Sequence, residues 1–230
     1  MICHKHKCIF IHIAKCAGTS VENAFGYYIN TPGALETHLG WDEEHNLYRQ
    51  HATPQQLFDL GLVSLEQWNS YYKFIIYRNS WSKMLSDYLW SLRTHRIYDT
   101  FTNFLLKEGD FRKIMTDNST PLFIGDHLYL QKDYFSINNT PINYDSMIDF
   151  DDLKSGLNKV ITDLKLNPDF FNIKINSNHY KAEHYSYMYS LKTKKLVEKL
   201  FQPDIEFFNF KFENKTQIPL TFNSLFRKTL

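Results

Sequence analysis

Lys15, Gly18, Thr19 and Ser20 fall together in FIHIAKCAGTSVENAF, residues 10–25, where a β-branched and aromatic run gives way to a helical one. A cation, a residue with no side chain and two hydroxyls are the parts of an anion cradle. Backbone N–H groups and hydroxyls can surround phosphate-like oxygens, while the lysine adds charge at the nest. Gly18 permits a tight turn or the close approach of a ligand. The plainer alternative is a solvated Lys15, a turn at Gly18 and a helix cap at Thr19 or Ser20. The nucleotide loop G-x-x-x-x-G-K-[ST] carries its lysine after the second glycine. This chain has neither the first glycine nor that order, which weakens an ATPase or GTPase reading but not a phosphate-like ligand.

A second constellation, Arg78 and Ser86, lies in YYKFIIYRNSWSKMLSDYLWSL. A guanidinium at a strand end and a hydroxyl on the following helix make a clamp for a terminal phosphate. Separately, Arg78 would serve to hold a carboxylate, and Ser86 would be a neutral surface residue. Transfer to a hydroxyl also needs a proton acceptor, and histidine titrates near working pH. His51, after a long loop and just before Thr53, is the first choice, against a histidine that merely orients the Thr53 turn. His12 faces either the packing layer or the site and reads more readily as structural; His184 contacts substrate or donor, or packs. Arg49, Lys83, Arg93, His95 and Arg96 would line a basic acceptor cleft unless they are solvated. The soft ligands of Cys3-His4-Lys5-His6-Lys7-Cys8 lack the paired spacing of a zinc site, so no metal is expected. Asp87 and Asp126 are weighed as magnesium-holding carboxylates, and neither ends a persuasive Walker B strand.

These residues need elements to position them. Hydropathy predicts a strand over about residues 7–13 and a helix over 18–29, then a long loop from Asn30 to Tyr48. Thr53-Pro54-Gln55-Gln56 predicts a capped helix that ends near Gly61. A strand over Tyr72–Tyr77 leads to a helix with Ser80 as N-cap and an apolar stripe of Trp81, Met84, Leu85, Tyr88 and Leu89. Short helical patterns occupy Thr100–Met115, with a turn at Asp117–Thr120 and an irregular stretch over 121–146. A strand over Tyr144–Phe150 precedes a helix carrying Leu153, Leu157, Val160, Ile161 and Leu164. After a polar stretch from Asn172 to Tyr189, a last helix over 191–201 ends before Pro203. Two strand-to-helix units favour an α/β layer with a mainly parallel sheet, with ligands beyond the strands' carboxyl ends.

At 230 residues, with no composition break or repeat, a single domain over 1–230 is expected. Charged residues are 22% and the net charge is +1, so no global basic field announces nucleic acid. The 3 cysteines, an odd number near the start, argue against a disulfide framework and for a reducing compartment. No apolar run is long enough to span a bilayer, and MICHKHKCIF lacks the order of a signal peptide. A cytoplasmic protein is expected, with a shortened Golgi-luminal or anchored form left open.

IFIHIAKCAGTSVENAF together with FIIYRNSWSKMLSDY resembles the PAPS-dependent carbohydrate sulfotransferases, in particular the group of heparan 2-O and chondroitin or dermatan enzymes with short microbial relatives. SMIDFDDLKSGLNKVITDLKL and EHYSYMYSLKTKKLVEKLFQPDIEFFNF extend the likeness to the tail, although Asp149 replaces a basic residue common before the aromatic. The resemblance implies a P-loop-like sulfotransferase fold, a central mainly parallel sheet flanked by helices. It implies 3′-phosphoadenylyl sulfate (PAPS) as sulfuryl donor, adenosine 3′,5′-bisphosphate as product and a carbohydrate or glycan hydroxyl as acceptor. Lys15, Ala17, Gly18, Thr19 and Ser20 would hold the 5′-phosphosulfate, with Lys15 at the bridging or leaving oxygen, and Arg78 and Ser86 the 3′-phosphate. RQHATPQQL is similar to a His-Ala-Thr segment of microbial relatives, which favours His51 as the base. An ATP-using phosphotransferase of the P-loop class, or a nucleotide- or glycan-binding protein without turnover, is the alternative.

Overall fold

The hydrophobic runs pair into one four-stranded sheet, as the α/β reading expects. A short strand that the hydropathy does not reveal, β1 (Ile2–Cys3), lies antiparallel to β2 (Cys8–Ile11), with Cys3 opposite Cys8. In the computed structural model, which describes residues 1–29, 31–172 and 184–216, β2 runs parallel to β5 (Tyr72–Tyr77), Phe10 beside Phe74 and Ile11 beside Ile75. Strand β8 (Ser146–Asp149) continues the sheet in parallel on the other side of β5. Ile9, Phe74, Ile75 and Ile76 are fully buried at its centre, which is why the β-branched runs read as near-continuous rather than alternating. The cysteines Cys3, Cys8 and Cys16 are buried thiols.

The chain divides into two compact units, Met1–Arg78 with Asp117–Ser177, and Asn79–Thr116 with Asn178–Leu230. The first holds the sheet. Its helix α1 (Gly18–Ala24) is shorter than expected because Gly26, at φ 84°, takes the left-handed conformation that ends a helix. The long loop contains a two-stranded ribbon, β3 (Trp41–Asp42) with β4 (Leu47–Tyr48). Helix α2 (Pro54–Asp59) starts at the Thr53–Gln56 capping box as read; α3 (Leu65–Ser70), with its own box of Ser64 and Gln67, was not foreseen. A second ribbon, β6 (Ser136–Ile137) with β7 (Thr140–Pro141), precedes β8. Helix α7 (Leu153–Asp163) packs on β8 so closely that a Cβ on Gly156 would lie 2.3 Å from Ile148 Cγ2.

The second unit is helical among its described residues: α4 (Ser80–His95), α5 (Phe101–Leu106), α6 (Arg112–Thr116), α8 (Leu191–Leu200) and α9 (Gln202–Phe207). Asn79, not Ser80, caps α4: its Oδ1 accepts from the N–H groups of Trp81 and Ser82 at 3.1 and 3.4 Å. Ser80 is instead buried inside the first turn. Pro203 does follow the end of α8, but it sits in the first turn of α9, where its missing N–H costs nothing. Of the polar stretch before α8, residues 173–183 lie outside the described residues. No helix among the described residues is long and apolar enough to cross a membrane.

Candidate active site

The strand expected over 7–13 leaves the sheet at Ile11, and the residues beyond it make the loop. Lys15 and Ala17 both adopt left-handed backbone conformations, φ 65° and 61°, which non-glycine residues rarely take. The bend is tied by the Cys16 N–H to the Ile13 carbonyl at 3.2 Å, and by the Ser20 and Val21 N–H groups to the Ala17 carbonyl at 3.0 and 3.2 Å. Ala17 therefore occupies the N-cap of α1, and no side chain caps it. Thr19 is exposed and Ser20 half-buried; the reading that either hydroxyl simply caps the helix does not hold. Gly18 is required for a reason the sequence hides: a Cβ there would lie 1.9 Å from the His12 ring.

Arg78, at the end of β5, comes to the same loop. Its Nη1 donates to the Lys15 carbonyl at 3.0 Å, and its guanidinium carbon lies 4.1 Å over the Phe150 ring. Burial lowers its pKa, with Cys16 and Asp151 opposing; an arginine stays charged throughout the working range. The strand end is itself fixed by Gln131, 0% exposed, whose Oε1 accepts from the Arg78 N–H at 3.0 Å and whose Nε2 donates to the Arg78 carbonyl at 2.8 Å. Cys16 Sγ reaches the same Oε1 at 4.0 Å. Gln131 and Phe150 have no local signature that would have singled them out. Asp149 accepts from the Asp151 N–H at 2.9 Å and so turns the chain that presents Phe150. Ser86 lies on α4, half-buried, in the second unit.

His51 ends a single 3-10 turn over Arg49–His51, just before α2. The Thr53 turn is held by its own capping box with Gln56, so His51 is not needed to orient it. His51 Nδ1 is instead 2.7 Å from Asp126 Oδ2, with His51 7% and Asp126 4% exposed. The Tyr134 hydroxyl donates to the His51 carbonyl at 2.8 Å. The His51 ring meets His12 edge-on at 4.9 Å and His127 at 4.8 Å between centroids. His12 in turn pairs through Nδ1 with Glu22 Oε1 at 2.9 Å, both buried. Burial pushes His51 down to about 4, against the pull of Asp126 and assisted by His127 and His12. Burial would raise Asp126, but His51 and His127 hold it below its ordinary value; Glu22 is likewise held low by His12 against burial. At neutral pH the pair is thus a neutral imidazole on a carboxylate, and the proton resides on Nδ1. His51, Asp126 and His127 bring ligand-type atoms within 4.8 Å of one another.

The other sequence candidates are placed elsewhere. Arg49 is committed to Asp42 at 2.6 Å and to the Leu35 carbonyl at 3.0 Å. Lys83 is 1% exposed on α4, and Arg93 donates to the Leu89 carbonyl of its own helix at 3.2 Å. His184 caps the Tyr185–Met188 turn and pairs with the Ser186 hydroxyl at 2.9 Å. Asp126, weighed as a magnesium holder, is engaged with His51 instead.

The lysine-bearing loop, the arginine bonded to it and the buried His51–Asp126 pair are thus carried by one mainly parallel α/β frame. The sequence profile of the sulfotransferase family matches residues 1–211, and the chain belongs to that family. Sulfuryl transfer from PAPS is the family's activity, and the α/β architecture with its mostly parallel sheet agrees with it. Searches of curated proteins and of solved structures returned no match.

Proposed function

We propose that this sulfotransferase moves the sulfuryl group of PAPS to a hydroxyl of a carbohydrate or glycan. The observation that carries the reading is the Arg78 guanidinium bonded at 3.0 Å to the Lys15 carbonyl, which brings the arginine of the second motif to the loop of the first. PAPS supplies the sulfuryl group and an adenosine 3′,5′-bisphosphate leaving group. Lys15 stabilises the charge that develops on the departing phosphate oxygen, and the loop amides with Thr19 and Ser20 hold the 5′-phosphate. Arg78 holds the 3′-phosphate, and Ser86 is assigned to the same phosphate by resemblance alone. His51, neutral and with its Nε2 lone pair available, takes the acceptor hydroxyl's proton as the new sulfur–oxygen bond forms and the old one breaks. The thiols support a reducing compartment, and we place the protein in the cytoplasm.

The test is transfer of label from [35S]PAPS to heparosan, chondroitin and dermatan oligosaccharides and to neutral aryl glycosides. Label on a sugar hydroxyl, lost with His51→Ala while adenosine 3′,5′-bisphosphate still binds, supports the reading. Transfer of the γ-phosphate of ATP instead, or bisphosphate binding without transfer to any of these sugars, contradicts it.

A further inference from the structure

We infer that Asp126 is the positioning residue for His51, holding the imidazole in the tautomer and orientation that leave Nε2 free to accept a proton. The inference rests on His51 as base and gives Asp126, weighed from the sequence only as a magnesium holder, a different role.

Three features of the pair carry it. The contact between Nδ1 and Oδ2 is 2.7 Å and almost fully buried, the length of a charge-assisted hydrogen bond in a site with little water. The carboxylate is ionised and accepts only, so the shared proton belongs to Nδ1, and Nε2 keeps its lone pair. The second oxygen of Asp126, Oδ1, is buried with no hydrogen-bond partner among the described residues. A half-satisfied buried carboxylate weakens a fold, and an apolar residue of similar size would serve packing better. The contact that the carboxylate does make is to His51.

The surroundings fix the ring from other sides without competing for the role. His12, from the segment after β2, and His127, next to Asp126, meet the His51 ring edge-on. Glu22 of α1 stands behind His12, bound to its Nδ1. The Tyr48 ring is 6.2 Å away, and the Tyr134 hydroxyl engages the backbone carbonyl rather than the ring. Asp126 alone among these faces Nδ1 with a charge. In Asp126→Asn the amide can present either its oxygen or its NH2 group to Nδ1, and the second arrangement places the proton on Nε2, where it blocks the base.

The experiment has an acceptor-free part and a kinetic part. Long-range 1H–15N spectra of the histidine-labelled protein at pH 7 are expected to show His51 protonated at Nδ1 and bare at Nε2, and Asp126→Asn to mix or reverse that pattern. Because this needs neither donor nor acceptor, it stands even where the sulfuryl-transfer reading fails. With an acceptor from the sugar panel, Asp126→Asn lowers kcat by about 10²- to 10⁴-fold, as loss of base function does, while adenosine 3′,5′-bisphosphate binds as before. The acidic limb of its residual kcat moves to lower pH, because the charge that raises His51 has gone while His12, His127 and Glu22 remain. A proton on Nε2 in the unaltered protein overturns the inference, even where the variant does not fold. Full kcat in Asp126→Asn beside an inactive His51→Ala overturns it while sparing His51 as base. Full kcat in His51→Ala overturns both.

Discussion

Replacing Lys15 by alanine separates holding the donor from transferring its sulfuryl group. Lys15→Ala should lower kcat by about 10²- to 10³-fold, the scale of one lost charge-stabilising donor, with adenosine 3′,5′-bisphosphate still bound. Full turnover at saturating donor and acceptor would remove Lys15 from the reaction. Gly18→Ala is expected to act through packing, because the new methyl would lie 1.9 Å from the His12 ring and can be accommodated only by moving a ring bound to Glu22 at 2.9 Å. Overpacking of this kind costs about 1–3 kcal/mol, and a thermal melt of Gly18→Ala unchanged from the parent would contradict it. Lys15, Gly18 and His51 could be singled out from residue type and spacing. Their reasons could not: the glycine answers to His12, and His51 is kept neutral by burial while its ring is held by Asp126, 75 positions away in sequence.

At the scale of elements, Gln131 ties the 3-10 segment Gln131–Phe135 to the end of β5 through both backbone groups of Arg78. Gln131→Leu strands an N–H and a carbonyl in a buried place, at about 1–3 kcal/mol for each group. We expect a matching loss in denaturant unfolding and weaker bisphosphate binding, because Arg78 carries the loop through the Lys15 carbonyl. Retained stability and binding would show that another group replaces the amide. Periodicity located β2, β5, β8, α2, α4, α7 and α8, since those elements bury a face or open with a cap. It overran α1 because Tyr28 continues the apolar pattern past Gly26, the glycine that ends the helix. The Ser64 and Gln67 box stands in the sequence as S-x-x-Q ahead of Trp68. Residues 121–146 carry no period at all, because short 3-10 turns and a small ribbon are held there by long-range bonds. Gln131 is illegible for that reason, and Asp126 is legible only as a carboxylate, not as the partner of His51.

For the whole molecule, buried ionisable groups make acid the expected weakness. His51 is held at about 4 in the folded chain against an ordinary 6.5, and His38, buried, falls to about 3. A histidine with a depressed folded pKa takes up its proton more readily when unfolded, so stability is lost as pH falls from about 6.5 toward 4. Asp126 and Glu22, also depressed, add their loss below about pH 4, where unfolded carboxylates protonate first. Tm should therefore fall steadily as pH falls below about 6.5; a Tm that rises between pH 6.5 and 4 would contradict the buried neutral state of His51. Each compact unit is assembled from two separate stretches of chain, so neither is a continuous piece. We propose that 1–230 acts as one domain, which predicts a single calorimetric transition and is contradicted by two resolved ones.

The donor assignment rests on a 3′-phosphate held by Arg78, and calorimetric binding of adenosine 3′,5′-bisphosphate beside ADP and ATP tests it most directly. Because Arg78 also bonds the Lys15 carbonyl, Arg78→Lys is the control: it keeps a cation there and loses the guanidinium fork. A strong preference for the 3′-phosphorylated nucleotide that collapses in Arg78→Lys is the predicted result. Equal binding of ADP, or tighter binding of ATP, would contradict PAPS as the donor.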